Sequence, residues 1–167
     1  YAQEPLDSLR RPDRKIAPPS TNKSSIKNFT DWADTDGNYI SAHASGMLLV
    51  GDTYYWYGGD MGINPGGMFN QRVYNPGEDP KTWKRFFDGY SCYSSKDLMN
   101  WKYEGKALVP PEKGFTSLYV SGRPHVMYND KTKKFVMYHY YYPIYPGCLL
   151  MVATSDSPTG PFTGQTV

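Results

Sequence analysis

With 167 residues, the chain is about the size of one domain and can bury roughly two-thirds of its unfolded surface. Its 16 tyrosines, 16 glycines and 14 prolines, without Leu- or Ala-rich helical periodicity, exclude a helical bundle and point to an all-β, turn-rich protein. The net charge of +2 makes no demand for nucleic acid, and no apolar run approaches the roughly 18–20 residues that would span a bilayer as a helix.

Residues 1–30 are rich in Pro, Ser, Lys and Arg and poor in apolar periodicity. They read as an extended N-terminal arm with no core of its own, lying free, along its own domain or across a neighbouring subunit. The basic cluster Arg10–Lys15 reads as a solvated part of that arm. The chain starts at Tyr1 without an initiator Met or a signal-like apolar core, so a processed form is expected. Two sequons, Asn22-Lys23-Ser24 and Asn28-Phe29-Thr30, would accept N-glycans on a secretory route. The expectation is a secreted, extracellular protein.

From Asp34 the sequence DTDGNYISAHASGMLLVGDTYYWYG joins a polar loop holding His43 to two short apolar strands. These are separated by a Gly51-Asp52 turn, and the second is loaded with aromatics. A two-residue turn containing Gly between such runs is hairpin grammar. Met61–Asp88 follows, broken by Asn64-Pro65-Gly66-Gly67, Asn75-Pro76-Gly77 and Asp79-Pro80. Loops of this length tend to carry function or interactions, and Trp83, Phe86 and Phe87 give it apolar anchors. Gly89–Trp101 (GYSCYSSKDLMNW) adds a third strand.

The pattern then returns. Arg123–Asn129 (RPHVMYN) leads through Asp130–Lys133 into Lys134–Tyr142, and Cys148–Phe162 (CLLMVATSDSPTGPF) closes the second unit as Gly89–Trp101 closes the first. Both closing segments place a Ser/Thr-Ser pair and an Asp before a terminal aromatic. An imperfect tandem repeat of small antiparallel sheets is how a propeller blade reads in sequence. Cys92 and Cys148 fall on these closing strands. A disulfide is one outcome if their Cα atoms come within about 7 Å, and two buried free thiols are the other.

Other chemistries find little support. The 3 histidines and 2 cysteines show no close metal-ligand spacing, so neither a metal nor a cofactor is expected. No Walker loop, dinucleotide fingerprint or Gly-x-Ser-x-Gly elbow occurs.

Four ordered blocks, DTDGNYISAHASGMLLVGDTYYWYG, SCYSSKDLMNWKYEG, GRPHVMYNDKTKKFVMYHY and VATSDSPTGPF, together resemble the N-terminal half of glycoside hydrolase family 43-type proteins, nearest the exo-β-1,3-galactanase branch. The resemblance covers residues 31–163 and implies a five-bladed β-propeller with a glycan pocket on its central axis. On that reading residues 31–167 hold part of a propeller, about two to two-and-a-half antiparallel blades. Blade 1 spans about residues 40–105 and blade 2 about residues 120–165. Open blade faces would then need a companion chain or self-association to cover them.

Glycoside hydrolysis needs two groups flanking the scissile bond. The resemblance implies that in this branch the ordinary base of the first blade is absent and an acid comes from a later blade. That acid is not expected within this chain. The family also commonly carries Glu directly before the Arg-Pro of the second blade, where this chain has Gly122. No catalytic residue is assigned. Sugar contacts are expected from His43, in an AHASG segment similar to the family's pocket-floor motif, with a structural histidine fixing the loop as the alternative; from the donor fork of Arg123, with a salt-bridge partner as the alternative; and from Asp60 as a hydroxyl acceptor, with a solvated loop acid as the alternative. Trp56 and Tyr140 are expected to offer aromatic faces to a sugar ring, with packing between blades as the alternative for both.

Three functions fit these residues. The first is an extracellular, carbohydrate-associated module with a galactan-type saccharide as partner and no catalysis on its own. The second is the N-terminal part of an active exo-acting galactan hydrolase. The third is a structural subunit that self-assembles through its arm and open blade faces.

Overall fold

The computed structural model describes residues 15–60, 89–109, 120–142 and 149–166. Residues 1–14, the expected loop Met61–Asp88 and Cys148 lie outside the described residues. Eight strands and no helix occur among the described residues. The first sheet is the meander β1 (His43–Val50), β2 (Thr53–Gly59), β3 (Tyr90–Ser95) and β4 (Lys102–Leu108), each antiparallel to the next. The second repeats it with β5 (Val120–Asn129), β6 (Lys134–Tyr142), β7 (Leu149–Ser155) and β8 (Thr163–Thr166).

The hairpins form where the turn chemistry requires. Gly51 takes φ 62 between Val50 and Thr53, which pair directly, a conformation that costs glycine little. In the second sheet the Asn129 side chain accepts from the backbone of Lys131 and Thr132, the local bonding that makes Asn a turn residue. The closing segments also match. Ser95 Oγ accepts from Asp97 N and Leu98 N, and Ser155 Oγ accepts from Ser157 N.

Strand alternation divides each blade into two faces. Leu48, Val50, Tyr55 and Tyr57 of blade 1 meet Val126, Phe135, Met137, Ala153 and Phe162 of blade 2 in one core between the sheets. Tyr57 donates to Pro158 O at 2.6 Å, and burial raises its phenol pKa. Phe162 N donates to Ala107 O, so the terminal aromatic of blade 2 is anchored on blade 1. Its counterpart Trp101 packs on the opposite face of blade 1, with Ile40, Tyr93 and the partly buried Ala42, Tyr54, Trp56 and Tyr103.

That opposite face is covered in part by the chain's own N-terminal segment. Ile16 and Ala17 donate to Gly37 O, and Ser20 to Thr35 O. Lys23 N donates to Asn100 Oδ1 while Asn100 Nδ2 donates back to Lys23 O. The described part of the arm therefore lies along its own domain. Met47 and Leu49 on β1, Met127 on β5 and Leu150 on β7 remain exposed, at 49%, 52%, 43% and 61%.

Cys92 is a free, buried thiol. It pairs with Tyr57 on β2, and the residue in that register on the second sheet is Val152, opposite Tyr138; Cys148, the other half of the disulfide considered, lies outside the described residues. Burial pushes the Cys92 thiol up to about 12, which leaves it unreactive.

Candidate functional site

The two sheets meet along β1 and β5. Both strands carry an irregularity at the same place, between His43 and Gly46 and between Gly122 and His125. Each bulge contains one non-glycine residue in the left-handed region, Ala44 at φ 46 and Arg123 at φ 52. Such backbone costs on the order of 1 kcal/mol or more per residue, and non-glycine examples cluster at functional sites. Counting back from the hairpins aligns His43 with Gly122, Ala44 with Arg123 and Gly46 with His125. The bulges also abut, since a Cβ added at Gly46 would lie 2.3 Å from Pro124 O and 3.6 Å from the His125 Cα. Only glycine lets the two backbones approach so closely, and this explains Gly46 at the end of the AHASG segment.

His43 is half-buried on β1, opposite Gly59. Arg123 is exposed within the β5 bulge. The structure thus brings the His43 and Arg123 segments side by side.

Asp60 differs from the expected loop acid open to a hydroxyl. It is 2% exposed and follows the end of β2, where its N–H donates to Gly89 O at 2.8 Å. Its carboxylate forms a salt bridge with Lys106 Nζ and accepts from Ser41 Oγ at 3.0 Å; Ser91 Oγ stands at 3.5 Å. A carboxylate this buried is stable only when paired. Asp60 therefore fixes the end of β2 beside His43.

Trp56 is also placed elsewhere. It belongs to the far face of blade 1, with its ring centroid 5.1 Å from Trp101, 6.0 Å from Trp32 and 6.1 Å from Tyr93. It thus packs within an aromatic cluster on blade 1 and not in the core between the two described blades. A cavity of about 480 Å³ beside this face is lined by the arm and by Trp32, Met99 and Trp101, away from the bulges.

Tyr140 is half-buried and pairs directly across β5–β6 with Gly122. It lies on the opposite face of β6 from His139, which is buried against Tyr90 with ring centroids 5.2 Å apart. The sequon residues Asn22 and Asn28 are both exposed on the arm.

Sequence reasoning missed Lys106 and Ser41, whose role appears only when register brings them to Asp60. It also missed the correspondence of Ala44 with Arg123, which counting back from the two hairpin turns would have found. Among the described residues, no cluster of His, Cys, Asp and Glu is arranged to hold a metal ion, and no helix is long and apolar enough to cross a membrane.

Neither a family model nor a curated protein matches the chain. Among solved structures, it is similar to an exo-β-1,3-galactanase from Clostridium thermocellum, at 39% identity and a TM-score of 0.62 over 83% of this chain and 26% of that one. An exo-β-1,3-galactanase from Phanerochaete chrysosporium, solved with β-1,3-galactotriose, is 34% identical with a TM-score of 0.64 over 82% of this chain and 28% of that one. A family 43 β-1,3-galactosidase solved with galactodeoxynojirimycin is 36% identical with a TM-score of 0.60, over 84% of this chain and 38% of that one. The chain spans well under half the length of each of these relatives. The resemblance read from the four sequence blocks holds, and the two four-stranded sheets are blades of such a propeller.

Proposed function

We propose that this chain, a portion of a family 43-type propeller, is an extracellular module that binds galactan-type saccharides at the abutting bulges of β1 and β5 without hydrolysing them on its own. The observation that carries this reading is Arg123, exposed and held in a left-handed conformation beside the His43 bulge. Its planar donor fork suits paired sugar hydroxyls, and the His43 imidazole can donate to or accept from a third.

The lack of independent catalysis rests on the carboxylates. Position 122, where the resemblance implies Glu, is glycine. Asp60, the acid beside His43, is held by Lys106 and Ser41 and so is not free to protonate a leaving oxygen or activate water. The exposed sequons at Asn22 and Asn28 support passage through a secretory route.

A second reading is favoured by the similarity to exo-β-1,3-galactanases, namely that the chain supplies two blades of an active hydrolase. The exposed Met47, Leu49, Met127 and Leu150 support a companion chain or further copies on the open faces. Galactose release from β-1,3-galactan separates these readings. The chain alone is expected to release none. Turnover that disappears in a His43→Ala, Arg123→Ala variant would instead establish a working site and reject the non-catalytic reading.

A further inference from the structure

Gly122 and Tyr140 are direct cross-strand partners. A Cβ added at Gly122 would lie 2.7 Å from the Tyr140 hydroxyl oxygen and 2.9 Å from Cζ. Real Cβ atoms do not approach other atoms this closely, so a side chain at 122 requires the end of the Tyr140 ring to shift. The φ of Gly122 is not in the left-handed region. The ring over its Cα, more than backbone strain, is what a side chain at this position would have to displace. An aromatic laid across a strand glycine also restores the packing that the glycine lacks.

We infer that Gly122 and Tyr140 form a matched pair in which the Tyr140 phenol occupies the space of the pocket carboxylate and supplies the polar contact to a galactose hydroxyl in its place. This rests on the sugar-binding reading above and deepens it. The chemical consequence is an exchange of an anionic acceptor for a neutral group that both donates and accepts. A phenol ionises near pH 10 and neither protonates a glycosidic oxygen at neutral pH nor carries charge there. The site would thus retain sugar recognition while lacking an acid–base group at this position. Arg123, next in the chain, would meet the saccharide without a neighbouring carboxylate competing for its guanidinium.

Two measurements test the inference. In a thermal cycle, Gly122→Ala is expected to lower the Tm of the chain by several degrees and to lower it much less in a Tyr140→Ala background, where the ring is gone. Equal losses in both backgrounds would overturn the matched pair. In a titration with β-1,3-galactotriose, Tyr140→Phe keeps the ring and removes only the hydroxyl. It is expected to weaken binding by roughly 3- to 10-fold, the net worth of about one hydrogen bond, in a variant that remains folded. Undiminished binding by Tyr140→Phe would overturn the sugar contact while the proposed function stands. Absence of binding by the unsubstituted chain would reject the proposed function and the sugar contact together, while the thermal cycle still decides the pair.

Discussion

His139 makes folding stability depend on pH in a window where few other groups titrate. It is 3% exposed, in the packing between blades and against the Tyr90 ring, and burial lowers its pKa from 6.5 to about 4. The folded protein therefore resists a proton that the unfolded chain accepts. Above pH 6.5 both states are neutral at this residue and no penalty arises. As pH falls from 6.5 toward 4 the unfolded state gains the proton first, and stability is lost across that interval. At 1.36 kcal/mol for each tenfold difference in proton affinity, the penalty reaches about 2–3 kcal/mol by pH 4.5. Asp97, held below the usual carboxylate range by the backbone and side chain of Asn100, and Asp52, lowered by Lys96, keep their charge throughout the interval. Urea unfolding of the chain and of a His139→Gln variant at pH 7, 6, 5 and 4.5 isolates the effect. The variant is expected to be less stable at pH 7 but flatter with pH, so that the gap narrows by about 2–3 kcal/mol. Parallel loss in both proteins would refute the assignment of a buried, neutral His139.

Gly46→Val places a branched side chain where a Cβ already lies 2.3 Å from Pro124 O; a loss of roughly 2–4 kcal/mol by thermal or urea denaturation is expected. Lys106→Met removes the Lys106 cation from the buried Asp60 carboxylate and should cost about 3–5 kcal/mol, much of it recovered in an Asp60→Asn, Lys106→Met double variant. Tyr57→Phe removes the inter-blade bond to Pro158 O and is expected to cost roughly 1 kcal/mol in denaturant unfolding. Asn100→Ala removes the two bonds between Asn100 and the Lys23 backbone while Lys23 Nζ still donates to Ala33 O and Asp34 O, and limited proteolysis between residues 15 and 30 is expected to accelerate several-fold with little change in Tm.

The strands legible in the sequence were those with strong turns or strong alternation. Gly51-Asp52 and the Asn129 turn mark both hairpins, and Leu48 and Val50 alternate with Met47 and Leu49 as the structure places them. The outer strands were harder to read. Residues Lys102–Leu108 mix charges with Gly105 and bury only Ala107 and Leu108 fully, while Thr163–Thr166 contains no large apolar residue. Their pairing comes from the neighbouring ladder more than from their own periodicity. At the site, the AHASG and GRPH segments were visible as words. Their meeting was not, because contact between β1 and β5 joins residues far apart in the chain. Asp60 looked solvated because its partner Lys106 is reached only through the register of β2, β3 and β4. Trp56 and Tyr57 were both read as aromatic, and alternation separates them, but which face turns toward the second blade depends on packing that one strand does not encode.

The most direct test is the affinity of the chain for β-1,3-galactotriose, measured by titration calorimetry beside a His43→Ala, Arg123→Ala variant whose fold is checked by circular dichroism. Saturable binding by the chain, reduced at least tenfold in a folded variant, is the predicted result. No binding by the chain, or equal binding by both proteins, would contradict the assignment of the sugar site to the abutting bulges.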